Sequence, residues 1–109
     1  MNPLAENYYL KYKVEHDIIT ESYVVFKYNG NLYSLKGGDG GTSYDANKTL
    51  LTNVFGSANC TDGSDSFRCS IGGLYGQANT NGYVAVAASD YSSYCFVDNS
   101  GSSGCNINS

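Results

Sequence analysis

Four cysteines are the residues of this 109-residue chain whose type and spacing point to covalent chemistry. Cys60 and Cys69 bracket CTDGSDSFRC, and Cys95 and Cys105 bracket CFVDNSGSSGC. A tetrahedral zinc site asks for closely spaced Cys-x-x-Cys pairs or histidine partners. Here eight or nine residues separate the members of each pair, and the single histidine, His16, is far from all four in sequence. An even cysteine count in so polar a chain indicates two disulfides and an oxidising compartment: periplasm, cell surface or medium. Four cysteines can pair in more than one way. The turn residues inside each loop favour the local choice, Cys60–Cys69 and Cys95–Cys105. In the loop-entropy model each bridge contributes about 2.5–3 kcal/mol.

Little else is arranged for bond-making. His16 and Asp17 read as a charged surface turn, and no serine sits in a Gly-x-Ser-x-Gly elbow. Glu6, Glu15 and Glu21 crowd the N-terminal fifth with no matched partner for glycoside cleavage. Asp62 and Asp65, with Asp98, offer oxygen ligands to a hard cation, but their spacing is not that of an EF-hand and Asp62-Gly63 reads as an Asx-type turn. GGDGG at 37–41 lacks the Lys and Ser/Thr of a nucleotide loop and reads as a flexible loop. No catalytic residue, metal or cofactor is expected. Asn47-Lys48-Thr49 and Asn59-Cys60-Thr61 fit the N-glycosylation acceptor pattern.

Charge excludes some partners. The formal net charge is −4, and the six cationic side chains are Lys11, Lys13, Lys27, Lys36, Lys48 and Arg68. None lies beyond residue 68, so the C-terminal third has nothing with which to neutralise phosphates or an anionic membrane. Aromatic content points elsewhere. Eleven tyrosines and no tryptophan suit half-exposed sheet faces, since tyrosine joins apolar area to a hydroxyl that tolerates water. Tyr75, Tyr83, Tyr91 and Tyr94 are the candidate contact surface, either a glycan-stacking platform or a contact between subunits.

The elements that must position these groups are short. YYLKYKV, 8–14, alternates like a strand, though LAENYYLKY reads equally as the last turns of a helix. ESYVVFKY, 21–28, is a strand by its β-branched and aromatic content, and Asn29-Gly30 turns it into NLYSLK as a hairpin. DANKTLLTNVF, 45–55, reads as the one helix. Asp45 is its N-cap, Ala46, Leu50, Leu51, Val54 and Phe55 share a face, and Gly56 is its C-cap. Beyond it FRCSI, LYGQA, YVAVAA and SYCFV are strands. YVAVAA, small and apolar on both faces, belongs in the sheet interior. No apolar run is long enough to span a membrane, and residues 1–20 hold no signal-peptide core, so a secreted chain with this sequence is expected to be a mature or trimmed form.

LAENYYLKY resembles the end of the long N-terminal helix of type IV pilins and pseudopilins. FRCSIGGLYGQANTNGYVAVAASDYSSYCFVDNSGSSGC, 67–105, resembles the antiparallel sheet and disulfide-closed C-terminal loop of their head domains. The hydrophobic N-terminal helix of that family has no counterpart in this sequence, so the resemblance implies a helix that was removed or is supplied by a separate short subunit. The resemblance implies an extracellular, non-catalytic filament subunit, a homo-oligomer with a possible helix-bearing pilin partner and an adhesive outer face. The alternative is a secreted monomeric carbohydrate-binding or adhesin module with a glycan or cell-surface ligand. Either way residues 1–109 are expected to form a single α+β, mainly β domain. It would hold an antiparallel sheet of about four to six strands, a preceding hairpin, one short helix and two local disulfides.

Overall fold

The computed structural model describes residues 8–15, 18–88 and 92–106. Tyr8–Glu15 (β1), Ile18–Tyr28 (β2) and Asn31–Gly37 (β3) form a three-stranded antiparallel sheet in that order. Of the two readings of YYLKYKV, the strand is the one adopted. Residues 8–15 pair with β2 along their whole length, so the helix-end likeness does not extend over them. The β2–β3 hairpin is as expected. Tyr28 faces Asn31 across Asn29 and Gly30, whose φ angles of 54° and 82° match the twist of the flanking strands.

Tyr44–Phe55 is the helix (α1), followed by a single 3-10 turn at Ser57–Asn59. The helix begins a residue early. Ser43, not Asp45, holds the N-cap position, because the turn closed by Tyr44 N–H on Gly41 O already starts the winding. Asp45 falls in the first turn, where its charge suits the helix dipole. Gly56 ends the helix at φ 86°, its N–H donating to Thr52 O. The expected apolar face needs one correction. Ala46 is exposed and Asn47 takes the inward position with Leu51 and Phe55. Asn47 fits there by acting as a piece of backbone: Lys36 N–H donates to its Oδ1 at 3.2 Å, and its Nδ2 donates to Lys36 O at 2.9 Å. A side chain 5% exposed with both amide atoms engaged is closed to glycosylation in the folded chain, whatever its sequence pattern.

The rest is a six-stranded antiparallel sheet in simple sequential order. Its strands are Cys60–Asp62 (β4), Ser66–Ile71 (β5), Leu74–Asn79 (β6), Val84–Ala88 (β7), Tyr94–Val97 (β8) and Ser103–Asn106 (β9). β7 is central and buried along its whole length, as its small apolar residues require. β4 and β9 are strands where only disulfide loops were expected. Each bridge joins directly opposed residues: Cys60 faces Cys69 and Cys95 faces Cys105, with Cα atoms 4.0 and 4.1 Å apart.

One face of this sheet is covered. α1 lies over β6, so close that a Cβ on Gly76 would stand 2.8 Å from Leu51 and 3.3 Å from Phe55. The three-stranded sheet covers the β7–β8 side, where a Cβ on Gly37 would meet Val84 and Val97 at 2.9 Å. Val24, Phe26 and Leu35 from the small sheet, Leu51 and Phe55 from α1, and Phe67, Val86 and Val97 from the large sheet close one core between the layers. The loop at 37–41 is not a flexible spacer. Gly38 N–H donates to Gly82 O, and a Cβ on Gly41 would run into Thr80 O. Bare backbone at φ +70° to +94° lets this loop interlock with the 80–82 turn and join the two sheets. Gly40, by contrast, faces open space. Gly40→Ala is therefore expected to cost only the left-handed φ, about 1–2 kcal/mol. Gly41→Ala adds a backbone clash and should cost at least about 3 kcal/mol. Urea denaturation midpoints of the two variants check the contrast.

Candidate functional site

The other face of the six-stranded sheet carries Tyr75, Tyr83 and Tyr94. Strand alternation sends Phe67, Cys69, Leu74, Gly76, Ala78, Val84, Val86, Cys95 and Val97 toward the core. The intervening residues point outward in rows that the register defines: Ser70, Tyr75, Ala87, Tyr94 and Asn106 in one, Arg68, Gln77, Ala85, Phe96 and Gly104 in the next. Tyr75, Tyr83 and Tyr94 of the expected contact surface are thus brought onto one face. Tyr91 lies outside the described residues. Phe96 joins the group, a residue whose role is legible only once SYCFV is known to alternate Cys95 inward.

Tyr75, Gln77, Tyr83, Ala85, Ala87, Tyr94 and Phe96 line an open trough of about 410 Å³. Its floor is Ala85 and Ala87, 6% and 3% exposed because the flanking rings overhang them. Tyr83 stacks on Phe96 with centroids 6.2 Å apart and ring planes within 16°, and Tyr94 meets Phe96 at 6.1 Å and 38°. Gly104 faces Phe96 across the β8–β9 pair, and a Cβ there would touch the ring at 3.3 Å. Along β6 a polar ladder runs beside the rings. Tyr75 O–H donates to Gln77 Oε1 at 2.7 Å, and Gln77 Nε2 donates to Asn79 Oδ1 at 2.8 Å. The lining carries no formal charge. Such a trough can stack on a flat apolar surface and exchange amide and hydroxyl hydrogen bonds with it.

The carboxylates considered as cation ligands do not converge. Asp62, on β4, is ion-paired at 2.6 Å with Lys48, whose ammonium stands 5.4 Å from the centroid of the Phe67 ring. That hydrogen bond raises the Lys48 pKa. Asp98 sits beyond the far end of β8 and organises its own loop. Its Oδ1 accepts from Ser100 O–H at 2.8 Å and from the N–H groups of Ser100 and Ser102 at 2.9 Å, and these bonds hold its pKa below the usual carboxylate value. Asp65 uses its backbone carbonyl to accept from Thr80 N–H. Among the described residues no three His, Cys, Asp or Glu side chains are grouped to hold a metal. His16 lies outside the described residues.

No protein-family model matches the chain, and no curated protein or solved structure is significantly similar to it. The two disulfides fit folding in an oxidising compartment. No helix among the described residues is long and apolar enough to cross a membrane.

Burial pushes the Tyr83 hydroxyl above the ordinary tyrosine pKa, and Tyr94 and Asp98 push the same way. The neutral form is therefore favoured in the folded chain. Its stabilising effect is complete below the unfolded-state value, near about 10, and is lost as the pH climbs through the folded-state value. Urea midpoints measured across this alkaline range should fall more steeply for the wild-type chain than for Tyr83→Phe.

Proposed function

We propose that this domain is a non-catalytic extracellular binding module whose tyrosine trough takes a neutral glycan. One observation carries the reading: Tyr75, Tyr83, Tyr94 and Phe96 stand around a floor of two alanines on the sheet face that no described element covers, with the Gln77 and Asn79 amides alongside. The C–H face of a pyranose ring packs on an aromatic ring, while its hydroxyls need donors and acceptors at the margin. Small apolar floor residues let a saccharide settle between the rings. The trough residues themselves carry no charge, which favours a neutral sugar over an anionic one; Arg68, a cation on the same face, stands outside the lining, across from Gln77 on β5.

A second reading, a subunit of an extracellular type IV pilus-like filament, draws on the pinned C-terminal edge. The Cys95–Cys105 bridge fastens the last described strand to the sheet, in keeping with the resemblance of this region to pilin heads. In that reading the same face is a contact between copies of the chain or with a helix-bearing subunit. Both readings put the protein outside the cell, and both rest on contact and not on bond-making.

A neutral-glycan array separates them. The glycan reading expects saturable binding, weakened about tenfold or more by Tyr83→Ala or Tyr94→Ala and unchanged by Lys48→Ala on the covered side. Absence of binding to every neutral glycan, together with filaments seen by electron microscopy when a helix-bearing partner is added, would replace it with the second reading.

A further inference from the structure

A different surface, on the side of the molecule that carries α1, has the chemistry of a strand acceptor. β3 is an edge of the small sheet, and its register fixes which backbone groups face outward. Tyr28 and Asn31 close the two-residue hairpin as a hydrogen-bonded pair, so Phe26–Tyr33 and Val24–Leu35 are hydrogen-bonded pairs too. Leu32, Ser34 and Lys36 therefore turn their N–H and C=O groups away from β2. The two bonds from Lys36 to the Asn47 carboxamide confirm this parity, because they occupy the outward groups of that residue. No described residue takes the outward groups of Leu32 and Ser34. Leu32 is also the large apolar side chain left most open among the described residues, 61% exposed.

Alongside this edge runs a groove of about 590 Å³ between β3 and the flank of α1. Tyr33, the residue between Leu32 and Ser34, forms one wall. Ala46, Leu50 and Val54, spaced at one helical turn, form an apolar stripe on the other, with Asp45 at the stripe's N-terminal end. Asn47 spans from helix to strand, so at that end the two stand one side chain apart.

We propose that the β3 edge is a docking site for an extended peptide. The peptide adds to the small sheet as a further strand, bonds to the outward backbone groups of Leu32 and Ser34, and lays alternate side chains on the Leu50–Val54 flank of α1. The Asn47 carboxamide already does for Lys36 what the peptide backbone would do for the next two outward positions. Backbone groups at an edge are satisfied by another backbone, which gives affinity, and pockets for alternate side chains give selectivity. The occupant is thus apolar at every second position, and a basic residue at the end that meets Asp45 complements its carboxylate. The site is independent of the tyrosine trough on the opposite face.

The test uses the full chain and a panel of synthetic octapeptides with Val, Ile, Leu or Phe at alternate positions, Thr or Ser between them and Lys at one end. Amide hydrogen exchange is read residue by residue. A binding peptide is expected to slow exchange at Leu32 and Ser34 by about tenfold or more, leaving β4–β9 unchanged. Two variants act by different routes. Ser34→Pro deletes an outward N–H without touching the β2 ladder, and Leu50→Arg obstructs the groove. Each should weaken binding about tenfold. The proposal is overturned if no peptide of the panel protects Leu32 and Ser34, or if binding survives both variants. It is also overturned if protection rises with protein concentration alone, which would give the edge to a second copy.

Discussion

Cys60 and Cys105 belong to strands of three and four residues, too short to hold a place in a sheet by backbone hydrogen bonds alone. Each is tied to the residue directly opposite on its inner neighbour, and these two pairs are the outermost pairs of the six-stranded sheet. Sulfur bridges therefore seal both edges at once. A domain of this size buries only about two-thirds of its unfolded surface and has little margin for fraying edges. Shortness itself also protects, since a strand of three or four residues offers a poor template for aggregation. The bridges turn toward the core, where Cys69 and Cys95 are fully buried, and the outer face is left free of them.

Among the described residues that sealed sheet is covered on one side only, and the central strands are adapted to this. Gly76 and Ala78 of β6 are small toward the core, which brings α1 close; Ala85 and Ala87 of β7 are small toward the outside, which gives the trough its floor. Rings rooted on β6, on β8 and just ahead of β7 then lean over the alanines. The aromatic face depends on the edges because Tyr94 and Phe96 sit on β8, the strand that β9 closes. Gly104 on β9 is the surface against which the Phe96 ring lies. A binding face on a small sheet needs this backing, since contacts made by rings that wander contribute little after their ordering is counted.

Much of the architecture could be read from the chain because the local signals agreed with one another. Asn29-Gly30, the apolar spacing of α1 with Gly56 behind it, and the all-apolar YVAVAA run each have one good solution. The cysteine loops were legible as bridges but not as strands, for Asp, Ser, Gly and Asn in CTD and SGCN carry no β-propensity. Covalent register makes those strands, and register is not local information. Asn47 was invisible as a structural residue for a similar reason: a polar side chain on a helix looks solvent-facing until the strand it bonds to is placed beside it. The GGDGG segment looked like a spacer because glycine signals freedom in sequence, whereas in the fold it allows close approach between two backbones. The tyrosine face was half legible. Alternation puts Tyr94 and Phe96 on one side of β8 once Cys95 is known to point inward, but that Tyr75 on β6 joins them follows only from the strand order.

Amide hydrogen exchange of the oxidised and the fully reduced protein tests the role of the bridges most directly. If they hold the edges, reduction should strip protection from β4 and β9, and with it the ordering of the Tyr94 and Phe96 rings, while β5, β6 and β7 remain protected. If β4 and β9 keep their protection after both bridges are reduced, the sheet holds its own edges and the bridges do not secure them.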